Sequence, residues 1–464
     1  VHRTQYKTQV IIMKFSAFIL TCMAQWQMNA SAFTLHPSKS STYTSNVASL
    51  RTTPRTRGSS MPMIASSKDD QDGSIFRKNQ ASLKSSKAAK AKAKTVFKVK
   101  PSPRPDDFIK QNFEDDARIM ARSQSSSGRV LGPKHALAYD TSLRDGTQGE
   151  SVSVSCDNKL KIAERLAEFQ LDYIEAGWPG SNPKDAEFFE RAKTELSQDV
   201  QSKLVAFGST RRKNILAKDD GQIRALVESG APTICMVAKG HLWQVTDIIR
   251  ATPEQNIEMI SDSVSYLVGL GKRVFVDLEH FFDGFNFDPD YSMKCCQAAV
   301  EAGAEGLVLC DTNGGSMPWD VGSITAQVVD SFDVTVGIHA HNDCGMAVAN
   351  SIMAVKNGCG LVQGTINGIG ERTGNADLCS ILPTLAFHVD SKITCSENLS
   401  DLTSLSRFVD ETMNRKPDSS APYVGASAFA HKGGLHVAAM ERSPMSYQHI
   451  EPNLVGNGEE GSHQ

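Results

Sequence analysis

The chain has 464 residues, 40% of them hydrophobic, enough for one large packed domain with extensions. Its formal net charge of -3 conceals an asymmetry: residues 1–100 carry 17 Lys/Arg against 3 Asp/Glu, and the remainder 32 against 49. A basic front on an acidic body excludes a nucleic-acid enzyme, whose basic surface lies on its folded part.

The front reads as an address. The first methionine is Met13, so "VHRTQYKTQVII" is expected to lie upstream of the translated start. From there "MKFSAFILTCMAQWQMNASAF" gives a lysine, an apolar run too short for a membrane span, and Ala30 and Ala32 spaced A-x-A. This predicts a signal peptide ending near 32, followed over 33–101 by a Ser/Thr/Lys/Arg-rich transit segment. The pair, with "ASAF" at the junction, resembles the bipartite presequences of plastids bounded by extra membranes. A mitochondrial or secretory destination is the alternative. The run "KSSKAAKAKAKTVFKVK" reads as a solvated targeting segment rather than a nucleic-acid tail. Nothing later is long and apolar enough for a membrane span. Ten scattered cysteines include no CxxC pair, as expected of small buried thiols in a reducing compartment.

From about 135, short β-prone runs alternate with amphipathic segments. The runs are 136–140, 172–177, 203–209, 233–238, 273–279, 306–311, 334–341 and 361–366. Between them "NKLKIAERLAEFQ" sets Leu160, Ile162, Ala163, Leu166 and Phe169 near one face, and "PEQNIEMISDSVSYLVGLG" does the same with Ile257, Ile260, Val264, Leu267 and Val268. Eight such βα units predict an α/β fold, a (β/α)8 TIM barrel over 102–400, with a small, mainly helical subdomain at 401–464. A doubly wound open sheet is the alternative, but the first strand runs into "DTSLRDGTQGE", which has no GxGxxG loop.

In a barrel of this kind the active site lies at the C-terminal strand ends. There the sequence places Asp140, Arg144 and Asp145 after strand one, Glu175 on strand two, Glu279 on five, Asp311 and Thr312 on six, and His339 and His341 on seven. Residues i and i+2 of a strand share a face, so the two histidines project together. With Asp145 they predict a two-histidine, one-carboxylate metal site, whose nitrogen and oxygen ligands fit Mg, Mn, Co or Zn.

The segments "YDTSLRDGTQGE", "GIHAHND" and "GTINGIGERTGNADL" resemble signatures of the 2-isopropylmalate, homocitrate and citramalate synthase family, acyl-CoA-dependent Claisen-condensing TIM-barrel enzymes related to hydroxymethylglutaryl-CoA lyase. "YIEAGWPGSNPKDAEFF" and "LEHFFDGF" look most like the citramalate branch. The resemblance implies condensation of acetyl-CoA with a 2-keto acid, pyruvate first and 2-ketoisovalerate as the rival. It implies a divalent metal on Asp145, His339, His341 and Asn375, and Arg144 facing the reacting oxygens. Thr312 would hold the keto acid carboxylate, with Gln148 and Glu175 as further substrate contacts. Glu279, or His436 with Tyr447, would serve as the base. A homodimer is expected, with neither nucleic-acid nor membrane partners. The lyase relatives use a cysteine in the loop near strand eight; "GTINGIGERTGN" has none, which argues against cleavage. A non-catalytic sensor of a CoA ester or amino acid is opposed by the intact ligand set. Family members usually continue into a C-terminal regulatory domain, and this chain is expected to be cut short before it. Residues 415–425 are expected to form a hinge.

Overall fold

The computed structural model describes residues 135–458, apart from 151, 390, 444 and 445. The expected leader, the transit segment and the start of the barrel at 102 lie outside the described residues. The strands are β1 (His135–Asp140), β2 (Tyr173–Gly177), β3 (Leu204–Ser209), β4 (Thr233–Lys239), β5 (Arg273–Glu279), β6 (Gly306–Asp311), β7 (Thr335–Ala340) and β8 (Leu361–Gly364). Each pairs in parallel with its neighbours, and β1 meets both β2 and β8, so the sheet closes into a TIM barrel. Each strand lies where the β-prone run predicts it, to within about two residues. The short β9 (Lys392–Ile393), which extends the lower edge of β1, has no such signal.

The helices are α1 (Cys156–Glu168), α2 (Pro183–Glu195), α3 (Gln198–Lys203), α4 (Gly221–Glu228), α5 (Pro253–Gly269), α6 (Phe281–Phe287), α7 (Pro289–Glu301), α8 (Pro318–Ser331), α9 (Ala347–Lys356), α10 (Leu378–His388), α11 (Leu402–Thr412) and α12 (Gly434–Met440). Their starts follow local chemistry. Ser155 caps α1, Asn182 caps α2 ahead of Pro183, and Thr252 forms a capping box with Gln255 on α5. Leu160, Ile162, Ala163 and Leu166 are buried against the sheet, as are Ile260, Val264 and Leu267, while Ile257 and Val268 are only half-buried.

Strand alternation sorts the side chains. Outward residues such as Ile174, Ala206, Met236, Val276, Leu309 and Ile338 form the layer beneath the helices. Inward residues form a separate cluster: Tyr139, Tyr173, Val205, Phe207, Cys235, Phe275, Val308 and Leu361. Tyr139, Tyr173 and Phe275 close the barrel floor, with ring centroids 5.2–6.3 Å apart. The next inward positions are polar: Glu175, Asp277, His339 and Gln363, joined sideways by the register His339↔Gln363 and Tyr139↔Gln363.

The same parity corrects part of the strand-end reading. Asp140 and Asp311 lie on the outward face. Asp140 accepts from the Ser142 backbone N–H and Oγ (2.9 and 2.7 Å), and Ser142 Oγ accepts from the Ile366 N–H. Asp311 accepts from Ser316 Oγ (2.9 Å) and Asn350 Nδ2 (3.2 Å). Both acids shape loops rather than line the mouth.

The C-terminal part also differs from a separate helical subdomain. The residues from β9 to α11 pack on the barrel: Asn158 Nδ2 donates to Thr412 O (2.9 Å), and Arg165 pairs with Asp401 (2.5 Å). Among described residues beyond 412, regular helix is confined to α12 and short turns such as Pro452–Val455. "RKPDSSAPYVGASAFAHKGG" is rich in Pro, Gly and Ser and carries no apolar stripe, so it has no helix to build. Within the expected hinge, Tyr423 and Val424 are buried, and Tyr423 shares a hydrogen bond with Thr384 (2.9 Å).

One buried ion pair anchors the β2–α2 loop. Lys159 Nζ lies 2.5 Å from Asp185 Oδ1, and Asp185 Oδ2 accepts from the Trp178 N–H (2.9 Å). Lys159→Met, which leaves Asp185 buried and unpaired, is expected to destabilise the fold by about 3–5 kcal/mol in urea denaturation. A loss under about 1 kcal/mol would mean that water reaches the carboxylate.

Candidate metal centre and active site

Asp145 follows β1 in a tight loop, and His339 and His341 come from the end of β7. His339 Nε2 lies 3.3 Å from Asp145 Oδ2 and 3.3 Å from His341 Nε2, and His341 Nε2 lies 3.8 Å from Asp145 Oδ2. All three residues are buried. Among the described residues, no other group of three His, Cys, Asp or Glu side chains converges in this way.

Burial alone would raise the Asp145 pKa; Arg144 and the two histidines more than reverse this and hold the carboxyl well below its usual range. Burial opposes charge on His339 too, but the Asp145 carboxylate beside it draws its pKa upward. Burial and the neighbouring His339 push His341 down to about 4.

Asn375 stands beside His341 across an isolated antiparallel bridge, which puts the two side chains on one face. Its amide Nδ2 donates to Ile369 O (3.1 Å), while its buried Oδ1 has no hydrogen-bond partner. Asp145 Oδ2 is likewise buried without a hydrogen-bond donor. Unpartnered buried oxygens are costly, and a cation would supply the partner both lack. The donor set therefore fits a hard or borderline divalent ion. Gly370 makes the arrangement possible, since a Cβ there would fall 2.1 Å from Asn375 Nδ2.

Arg144 walls the site. Its Nε donates to Glu175 Oε1 (2.6 Å), its Nη1 lies 3.2 Å from Asp145 Oδ1, and its guanidinium sits 3.9 Å over the Phe207 ring. Glu175, which the resemblance offers as a substrate contact, is fully buried and spends its oxygens on Arg144 and on the Tyr139 hydroxyl (2.5 Å). At the mouth, Glu279 forms an ion pair with Lys239. Thr312 Oγ1 accepts from the His280 N–H (2.8 Å), leaving its own hydroxyl hydrogen to donate. Arg372 ties the loops together, bonding Asp343 (2.8 Å) and Thr312 O (2.8 Å). Gln148 is exposed in the turn Gly146–Gln148.

His436 and Tyr447 stand apart from this group. Their rings stack at 4.3 Å, with His431 at 5.9 Å from Tyr447, and α12 is exposed. Lys239, Asp277 and Gln363 are residues the sequence reading passed over. Asp277 had a signal: it is a carboxylate inside "VFVDLE", two places before Glu279, hence on the same face.

The HMGL-like family model matches residues 137–409, which takes in all of the closed barrel but the first two residues of β1. The chain belongs to the HMGL-like family. Among curated relatives, the (R)-citramalate synthase of Aquifex aeolicus is 48% identical over 320 residues, covering 69% of this chain and 60% of that protein. The (R)-citramalate synthase of Synechocystis is 46% identical over 327 residues, covering 69% and 59%. A probable 2-isopropylmalate synthase of Methanopyrus kandleri is 33% identical over 325 residues, covering 70% and 62%. The chain thus spans about 60% of the length of the first of these relatives. Among solved structures, the Bacillus subtilis HMG-CoA lyase superposes with a TM-score of 0.53 at 20% identity, covering 61% of this chain and 96% of that one. At that identity the likeness concerns the fold, and it agrees with the HMGL-like barrel.

Asp145→Asn and His339→Ala are each expected to remove tight Mn(II) binding in calorimetric titration while circular dichroism still reports a folded barrel. Turnover should fall by about a thousandfold or more, since Lewis-acid polarisation contributes several kcal/mol. Near-wild-type rates with added metal would defeat the ligand assignment.

Proposed function

We propose that this HMGL-like chain condenses acetyl-CoA with a 2-keto acid, and that the acid is pyruvate, giving (R)-citramalate and free CoA. The observation that carries the reading is the convergence of Asp145, His339 and His341 beside a buried, anchored arginine. The choice of pyruvate is supported by relatives named (R)-citramalate synthase at 44–48% identity, against 31–33% for those named 2-isopropylmalate synthase.

A divalent ion on Asp145, His339, His341 and Asn375 would supply Lewis-acid polarisation of the keto group. The rest is the work of the chain. Thr312 donates a hydrogen bond to the keto acid carboxylate. Glu279 takes a proton from the acetyl methyl, and Lys239 beside it holds the carboxylate in place. The new C–C bond forms between that methyl carbon and the ketone carbon, and Arg144 faces the oxygen on which negative charge grows. Glu175 and Phe207 prevent the guanidinium from swinging away. The alkoxide takes up a proton, and water then cleaves the thioester and releases CoA. The exposed His436–Tyr447 pair is the second candidate for the base, delivered to a neighbouring barrel in a homodimer.

CoA release measured with pyruvate is expected to exceed that with 2-ketoisovalerate by at least about tenfold in kcat/KM, the discrimination that extra methyl groups ordinarily allow. Chelation should abolish the rate and a divalent ion restore it. Faster release with 2-ketoisovalerate would replace pyruvate, and a metal-independent rate would sink the reading. Glu279→Gln and His436→Ala, compared side by side, decide which group is the base.

A further inference from the structure

Below the metal ligands a chain of buried side chains crosses the barrel interior. Cys235 Sγ donates to Asp277 Oδ1 (3.1 Å), Gln363 Nε2 donates to the same oxygen (3.0 Å), and Gln363 Oε1 lies 2.8 Å from His339 Nδ1. These residues come from β4, β5, β8 and β7, each at an inward position, and all are buried.

The direction of the chain follows from Gln363. Its amide NH2 donates to Asp277 Oδ1, so the amide oxygen faces His339. That oxygen has no hydrogen to give, so His339 Nδ1 carries one. The form that can ligate a cation is the neutral imidazole, which has one N–H; its lone pair then lies on Nε2, the atom 3.3 Å from both Asp145 Oδ2 and His341 Nε2. Without the amide, the ring torsion is broad and roughly two-fold, and a half-turn of the ring removes Nε2 from the ligand position.

We propose that Asp277 and Gln363 are positioning residues that hold His339 in its Nδ1–H form and aim Nε2 at the cation. Neither touches substrate or metal. Asp277 anchors the amide, and the amide orients the ring, so both act through His339. The inference rests on the metal reading of Asp145, His339 and His341 and is independent of which keto acid the enzyme takes.

The test uses the full chain with Mn(II) or Zn(II) as the probe. Gln363→Leu removes the acceptor and Gln363→Glu keeps one. Gln363→Leu should weaken Mn(II) binding by about 10–100-fold, with a metal-free melting temperature within a few degrees of wild type. Gln363→Glu should stay within a few-fold of wild type. In zinc-loaded protein with 15N-labelled histidine, NMR should show His339 protonated at Nδ1 and ligated through Nε2. Unchanged Mn(II) affinity in Gln363→Leu, or zinc on Nδ1, would overturn the proposal. If Gln363→Leu does not fold, the wild-type spectrum still decides. Wild-type protein that binds no Mn(II) at all would overturn the metal reading and this inference with it, whatever the CoA assay shows.

Discussion

A closed parallel barrel has a single inside, and every second residue of each strand must face it. That constraint organises the molecule. The inward positions read upward from an aromatic floor of Tyr139, Tyr173 and Phe275 to the polar layer of Glu175, Asp277, His339 and Gln363. The metal ligands lie at the C-terminal ends, where loops can add Asp145 and Asn375. The floor beneath the polar layer is packed with rings. Its members must satisfy one another, and they do.

The charges in this layer are out of balance in a useful way. Asp145, Glu175 and Asp277 bring three carboxyl groups into one buried region, with Arg144 as the guanidinium among them. Burial and the nearby Glu175 push Asp277 up to about 6, whereas Arg144 keeps Asp145 ionised. An ionised aspartate beside two imidazoles and an unpartnered amide oxygen is a cavity prepared for a cation. Glu175 and the face of Phe207 hold the Arg144 guanidinium at the edge of that site.

Beyond α11 the chain is held to the barrel at Tyr423 and through Thr403 Oγ1 to Val455 O (2.7 Å), while α12 stays exposed, its His436 stacked on Tyr447 farther along the chain.

Much of this was legible in the residues alone. Short apolar, β-prone runs at regular spacing located the strands, because a strand in a parallel barrel is buried on both sides and needs no polar face. The HxH spacing placed two imidazoles on one side, because strand side chains alternate. Alternation does not say which side is the interior. Asp140 and Asp311 therefore looked equivalent to His339 until closure of the sheet put them on the helix side. Nor could the sequence pair Gln363 with Asp277, 86 residues away, or Lys239 with Glu279, 40 residues away, since those contacts exist only once the strands stand side by side. Local chemistry wrote the elements and their polarity. The tertiary structure alone decided which polar groups meet, because a hydrogen bond is a matter of ångströms in space and the chain records only distance along itself.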